Sequence, residues 1–231
     1  MKFSVIIPVY NEESTIEHVI EKVNSVRLPG TVTEEIVIVN DGSTDRTRSI
    51  LDKYSASPII KVFHFETNQG KTAALAKGIE CASGDVIIIQ DADLEYNPDD
   101  YAKLLEPILQ GRTDVVYGSR FKGSIKGMTL VNRLSNIFSN ITFNLLYATR
   151  LSDINTCYKV FKKDVIKGIK IVSTNFTFET EITAKLVRRG VRILEVPINY
   201  EARSHHQGKK IRWDTAIQMY WGMIKYRRGN D

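Results

Sequence analysis

The sequence predicts an α/β fold: a doubly wound, mostly parallel central sheet flanked by helices. Two observations carry this. Short apolar runs alternate with segments whose apolar residues recur at helical spacing. Three of those runs also end in polar clusters: Pro8-Val9-Tyr10-Asn11-Glu12, Asn40-Asp41-Gly42-Ser43 and Asp91-Ala92-Asp93. In an open parallel sheet the carboxyl ends of the strands are where ligands bind, so three such ends on one edge point to a site.

Phe3–Ile7 is a compact apolar run closed by Pro8 and reads as the first strand. Ser14 or Thr15 can cap the next helix, with Glu17 in its first turn, and Ile16, Val19, Ile20 and Val23 facing the sheet. Pro29-Gly30 breaks that pattern. Ile36–Val39 is a second buried strand, followed by a helix from about Thr44 to Tyr54 with Ile50 and Leu51 inward. Ile59–Phe65 is the third strand. Asn68-Gln69-Gly70-Lys71 turns into a helix running to Ala82, and Gly84 resets the chain for Val86–Ile89. This βαβαβαβ order implies parallel strands joined by right-handed crossovers.

Beyond Asp93, Asn97 is placed to cap a helix that begins at Pro98. Thr113–Tyr117 is a strand ending in Gly118-Ser119-Arg120-Phe121, and Gly123–Gly127 reads as a flexible basic loop. Met128–Leu146 is helix-like, with Leu130, Leu134, Ile137, Phe138, Ile141 and Leu145 on one stripe. Thr156–Phe161 and Arg192–Tyr200 are later strands with the helix Phe178–Arg189 between them. Glu201–Lys210 is polar and expected to be mobile. Trp213–Arg228 closes the chain as a helix rich in aromatic and basic residues. There is no internal repeat, low-complexity tract or linker, so residues 1–231 are expected to form one domain.

Composition narrows the function classes. With 42% apolar and 26% charged residues the chain is typical of a soluble globular protein. No run approaches the roughly 18 apolar residues of a membrane span, and the start lacks the pattern of a signal peptide. Cys81 and Cys157 lack metal-ligand spacing and fit reduced thiols in the cytosol. The absence of G-x-G-x-x-G and G-x-x-x-x-G-K-[ST] argues against dinucleotide dehydrogenases and P-loop phosphotransferases. A net charge of +5 points to anionic partners, whether phosphates, a membrane surface or nucleic acid, and does not by itself choose among them. No reader motif supports nucleic-acid binding, and the adjacent His205 and His206 lack a third ligand.

Asp91 and Asp93 carry the chemistry. Two carboxylates one residue apart repel each other unless a cation or proton lies between them. Mg²⁺ or Mn²⁺ is the natural partner, because hard cations take oxygen ligands and share their other positions with phosphates. A lone D-x-D also occurs as a polar turn, and Asp41-Gly42 alone reads as one too.

Taken in order, IIPVYNEE (Ile6–Glu13), VNDGSTD (Val39–Asp45), Asn68–Lys71, Asp91–Asp93, Gly118–Phe121, Phe178-Glu179, Glu195-Val196-Pro197 and Arg203 with Gly208-Lys209-Lys210 form a set. On these motifs the chain resembles the family 2 glycosyltransferases of GT-A fold, in the branch of the polyprenyl-phosphate glycosyltransferases typified by dolichyl-phosphate mannose synthases. The resemblance implies a nucleotide-sugar-binding half over residues 1–119 and an acceptor-binding half over 120–231. Pro8, Tyr10, Glu12, Val39 and Asp41 would hold the base and ribose of a GDP- or UDP-linked donor, with Lys71 and Ala92 completing that set. Asp91 and Asp93 would hold Mg²⁺ or Mn²⁺ against the diphosphate. Arg120, Arg133 and Arg203 match positions that grip phosphates, and Lys209 and Lys210 lie in a segment able to close over the site. Glu95 stands where relatives often carry Gln.

The resemblance further implies one-step transfer with inversion, Asp93, Arg120 and Arg203 forming the catalytic set. A phosphate acceptor is already anionic near neutral pH and needs no strong general base. Arg212-Trp213 lacks the Gln spacing of processive Q-x-x-R-W polymerases. With a lipid acceptor, the stripes on Met128–Leu146 and Trp213–Arg228 are expected to meet the cytoplasmic face of a membrane peripherally, or with a separate membrane partner. Two alternatives stand beside this one. One is a transferase with a sugar or protein acceptor. The other is a non-catalytic nucleotide-sugar or membrane-surface module, against which the intact Asp91 and Asp93 argue.

Overall fold

The computed structural model describes residues 1–30, 32–173, 177–203 and 213–227, without the side chains of 213–217. His205, His206, Gly208, Lys209, Lys210, Arg212 and Arg228 lie outside the described residues. The elements are β1 (Lys2–Val9), α1 (Ile16–Ser25), β2 (Thr33–Asn40), α2 (Thr47–Asp52), β3 (Ile60–His64), α3 (Lys71–Cys81) and β4 (Val86–Ile89). A 3₁₀ turn (Pro98–Asp100) leads into α4 (Tyr101–Leu109), β5 (Val115–Lys126), α5 (Leu130–Tyr147), β6 (Lys159–Lys162) and α6 (Lys163–Ile166). α7 (Phe178–Arg188), β7 (Ile193–Glu201) and α8 (Trp213–Arg227) complete the order.

Seven strands form one sheet in the order β3-β2-β1-β4-β6-β5-β7. β1 pairs in parallel with β2 and β4, and β2 with β3, as the βα alternation requires. β6 alone runs against its neighbours β4 and β5. The runs Val5–Ile7 in β1, Ile36–Val39 in β2 and Val86–Ile89 in β4 are continuously apolar because the sheet is covered on both faces. α1 buries Ile16, Val19, Ile20 and Val23, the stripe its spacing predicts. A second, smaller core of Phe143, Leu151, Ile154, Ala184, Met223 and Tyr226 joins α5, α7 and α8.

Two local expectations need correction. Gly123–Gly127 is not a free loop. β5 continues through Lys126 and pairs with β7 at Ser124↔Asn199, Ile125↔Tyr200 and Lys126↔Glu201, after an irregularity following Ser119. The backbones approach so closely that a Cβ on Gly123 would collide with the Ile198 carbonyl oxygen. Nor does Thr15 cap α1 with its side chain. Its hydroxyl donates instead to the Glu12 carboxylate (2.7 Å) and the Ala92 carbonyl (2.8 Å), tying α1 to the turn after β4. Asn97 does cap as expected, accepting from the Asp99 N–H at 3.3 Å.

Lys159 opens β6 with no solvent exposure. Its ammonium donates to the Ile154 carbonyl at 2.8 Å and sits 3.7 Å from the centre of the Tyr117 ring. Burial pushes its pKa down to about 7, although the Glu179 and Asp153 carboxylates oppose that shift.

Two outcomes are expected. Gly123→Ala should destabilise the fold by about 1–3 kcal/mol, read from denaturant unfolding, because β5 and β7 must separate to admit the methyl group. Since Lys159 titrates lower in the folded state than in the unfolded chain, the unfolded chain binds more protons above pH 7, and stability rises with pH there. Between pH 7 and about 8.5 the wild type should gain about 1 kcal/mol per pH unit relative to Lys159→Met.

Candidate functional site

The site is built on the exit of β4. Gln90, buried directly after the strand, accepts hydrogen bonds from Tyr101 and Tyr158, both 2.7 Å, which fixes where the chain leaves the sheet. Asp91, Ala92 and Asp93 then line a cleft of about 410 Å³. Pro8, Val9, Tyr10 and Glu12 from the end of β1 line it too, as do Asp41, Asn68, Gly70, Lys71 and Ala74. The three strand-end clusters thus meet in one place. Leu94 takes a left-handed conformation (φ 62°) that turns the chain sharply, and the Asp93 carboxylate accepts the Glu95 N–H at 3.2 Å across that turn.

Electrostatics organises the floor of the cleft. Lys71, the first residue of α3, places its ammonium 2.8 Å from Asp91 and 3.2 Å from Glu179 on α7. Burial is the largest single influence and would raise the Asp91 carboxyl, but the Lys71 charge and hydrogen bond, the Cys157 thiol and the Arg203 charge together hold it below the usual range. Burial likewise opposes the Lys71 charge, and the two carboxylates drive its pKa well above normal. Arg203, just past β7, forks onto Glu12 at 2.7 and 3.2 Å and reaches Asp93 at 3.3 Å. Among the described residues, the ion pairs of the cleft join four acids, Glu12, Asp91, Asp93 and Glu179, to two cations, Lys71 and Arg203, a formal excess of two negative charges within that network, with Asp41 lining the same cleft outside it.

One divalent cation would offset that excess. No group of three or more His, Cys, Asp or Glu able to hold a metal occurs among the described residues. A pair of carboxylates with few other protein ligands is the donor set of a Mg²⁺ or Mn²⁺ site that fills its remaining positions with water and phosphate. Asp91 and Asp93 fit that set.

Asp41 has a second duty. Its carboxylate accepts N–H groups from Gln69 (2.7 Å) and Gly70 (2.9 Å) and the Asn68 side-chain amide (3.1 Å), so it shapes the turn that opens α3. Burial still raises its carboxyl above the usual value. Tyr10 leaves its ring half exposed at the cleft. Val39, by contrast, is buried in β2 beside Pro8 and does not line the cleft.

The arginines divide. Arg120 is 6% exposed, and Asp153 takes its Nε and Nη2, both at 2.7 Å, and its backbone N–H at 3.0 Å. Its Nη2 also reaches Asn136 on α5 at 3.3 Å, and its guanidinium lies 5.1 Å from the centre of the Tyr200 ring. Arg133 is exposed on α5 and does not line the cleft. Glu179, Asp153 and Thr15 were not singled out from sequence as parts of the site. Phe178-Glu179 belongs to the resemblance, but no spacing marks an acid that pairs with a lysine 108 residues away. Asp153 is placed by Glu195, which accepts the N–H groups of Ser152 (2.8 Å) and Asp153 (3.0 Å).

From Arg120 the structure leads to an uncovered apolar face. α5 buries only Ser139, Asn140 and Phe143, while its expected stripe stands in solvent, from Ile137 at 37% to Leu145 at 79% exposure. Val131 extends that face, and Trp221 and Ile224 on α8 are exposed as well. Phe138 meets Tyr220 edge to face at 5.8 Å, linking the two helices. No helix among the described residues is long and apolar enough to cross a membrane.

Comparison with known proteins gives the family and the fold. The dolichol-phosphate mannosyltransferase of Pyrococcus furiosus is 30% identical over 90% of this chain and 59% of its own length. The dodecaprenyl-phosphate galacturonate synthase of Rhizobium johnstonii is 26% identical over 100% of this chain and 70% of that one. The present chain therefore spans well under two thirds of the archaeal relative. Among solved structures, glucosyl-3-phosphoglycerate synthase from Mycobacterium tuberculosis, in complex with Mn²⁺, UDP and glucosyl-3-phosphoglycerate, matches with a TM-score of 0.77. At 19% identity over 100% of this chain and 81% of that one, this likeness shows the common GT-A fold. The model for glycosyl transferase family 2 matches residues 4–169, from β1 to just past α6. With its carboxylate pair at the exit of β4 and a match over most of its length, the chain belongs to glycosyl transferase family 2.

Proposed function

We propose that the enzyme transfers one sugar, with inversion, from a GDP- or UDP-linked donor to a polyprenyl phosphate at a membrane surface. The observation that carries this reading is the chain of contacts from the carboxylate pair to the inward side of α5, whose opposite side is the exposed apolar face. It runs from Asp93 through Arg203, Glu95, Tyr200 and Arg120 to Asn136. A catalytic cleft joined so directly to a bare apolar helix suits an acceptor with a charged head and a long apolar tail. Both curated relatives carry polyprenyl-phosphate acceptors in their names.

In this reading Tyr10 and Asp41 hold the nucleoside end of the donor, and Asp91 and Asp93 hold Mg²⁺ or Mn²⁺. When bound, the cation neutralises the charge that grows on the departing nucleoside diphosphate. Arg203 shares the same phosphates, because a guanidinium already resting on Glu12 and Asp93 meets the arriving diphosphate with little movement. Arg120, its charge balanced by Asp153, offers its remaining guanidinium N–H groups on the acceptor side. The acceptor oxygen is anionic near neutral pH, so alignment and charge neutralisation suffice for in-line attack on the anomeric carbon. The exposed faces of α5 and α8 rest on the cytoplasmic leaflet, and the basic residues around them favour anionic lipid.

Two measurements test this. In a thermal-shift panel of UDP- and GDP-sugars with Mn²⁺, Mg²⁺ or EDTA, one base should raise the melting temperature by about 5–10 °C at 100 times its Kd, only with metal. Asp93→Ala should abolish that shift, and no shift with any member of the panel counts against the donor site. Separately, Leu134→Glu with Phe138→Glu should weaken co-sedimentation with anionic vesicles at least about tenfold, from lost apolar burial, while leaving nucleotide binding intact.

A further inference from the structure

We propose that Glu95 is a positioning residue, which acts by holding the backbone from which Arg203 reaches the carboxylate pair. The proposal deepens the glycosyltransferase reading and rests on it.

The ladder between β5 and β7 ends at Lys126↔Glu201, so Arg203 stands two residues beyond the last strand pair. The final backbone bond from β5 goes to the Ala202 N–H, one residue short of it. Glu95 supplies what the sheet does not. One carboxylate oxygen accepts the Arg203 N–H at 3.0 Å, and the other accepts the Tyr200 hydroxyl at 2.6 Å. The Glu95 carbonyl also accepts the Glu201 N–H at 3.0 Å. Three bonds from one residue therefore bracket the end of β7. Glu95 is 8% exposed, and both of its carboxylate oxygens are engaged in this bracket.

The turn that places Glu95 there is itself unusual. Leu94 is held at φ 62°, a conformation that side-chain-bearing residues adopt at a cost. It folds residue 95 back so that its N–H binds Asp93 while its carboxylate binds the Arg203 backbone. One strained turn thus registers the carboxylate of Asp93 against the guanidinium that rests on it at 3.3 Å. Tyr200, the other partner of Glu95, carries Arg120 on its ring face, so the same bracket borders both arginines.

The test is a double-mutant cycle. Glu95→Ala, Glu95→Gln and Tyr200→Phe are made in the wild type and in Arg203→Ala, and sugar transfer and calorimetric binding of Mn²⁺ with UDP or GDP are measured. Glu95→Ala should lower kcat about 10- to 100-fold, as loss of a charge-assisted hydrogen bond does. Glu95→Gln keeps an acceptor for the Arg203 N–H and should stay within about threefold of wild type. Tyr200→Phe, which removes one hydroxyl from the bracket and least disturbs folding, should lower kcat in the same direction by less. In the Arg203→Ala background Glu95→Ala and Tyr200→Phe should each add less than about twofold, because residues acting through one group are not additive. Full additivity would overturn the proposal. So would weaker Mn²⁺ binding in Glu95→Ala/Arg203→Ala than in Arg203→Ala, which would make Glu95 a metal ligand. Arg203→Ala at wild-type activity would sink the role given to Arg203 and the proposal with it. An impaired Arg203→Ala beside an unimpaired Glu95→Ala would sink only the proposal.

Discussion

Four acids converge where buried strands leave the sheet, and their mutual repulsion is the constraint on which the rest of this structure depends. Water screens little in a cleft of this kind, so like charges at close range must be balanced from within the protein. Two cations do this, and neither comes from the strands that carry the central carboxylate pair. Lys71 is delivered by the first turn of α3, a turn shaped by Asp41, and it binds Asp91 to Glu179. Arg203 is delivered by the far end of the sheet and binds Glu12 to Asp93. Opposite parts of the sheet are thereby fastened at one cleft.

Much of the sheet was legible because its cause is local. A buried parallel strand must be apolar on both faces, and the runs at Phe3, Ile36 and Val86 declare themselves. The polar clusters after them announced the cleft, and all three line it. What stayed hidden depends on distant partners. Asp153 is an ordinary acid in sequence, and Glu179, though part of the resemblance, shows its partner only when folding sets Lys71 beside it. Gly123 looked like a loop glycine because the close approach of Ile198 comes from a strand some 75 residues further on. Thr15 looked like a helix cap because nothing local shows the Ala92 carbonyl that takes its hydroxyl.

The stripe on α5 was legible as a stripe, but periodicity cannot say which way an apolar face turns. Here the helix offers the core two polar residues and Phe143, and presents its leucines and Phe138 outward. Asn140 and Asn144 explain the inversion. Their side chains bond the backbone of residues 151–154, so the polar side of the helix is consumed in holding the loop that carries Asp153. A helix that uses its polar side for internal scaffolding has only its apolar side left to show.

The single reversed strand has a topological consequence. In a sheet whose strands all point one way, the edge that binds ligands receives only departing chain. Because β6 runs backwards between β4 and β5, chain enters the sheet at that edge instead. The entering segment brings Asp153 to Arg120 and seats Cys157 against the end of β4, where its thiol lies 3.7 Å from the Ile89 carbonyl. Its length and sequence can vary without disturbing any βα crossover, so the Arg120 side of the sheet can be remodelled while the cleft at the ends of β1, β2 and β4 is left in place.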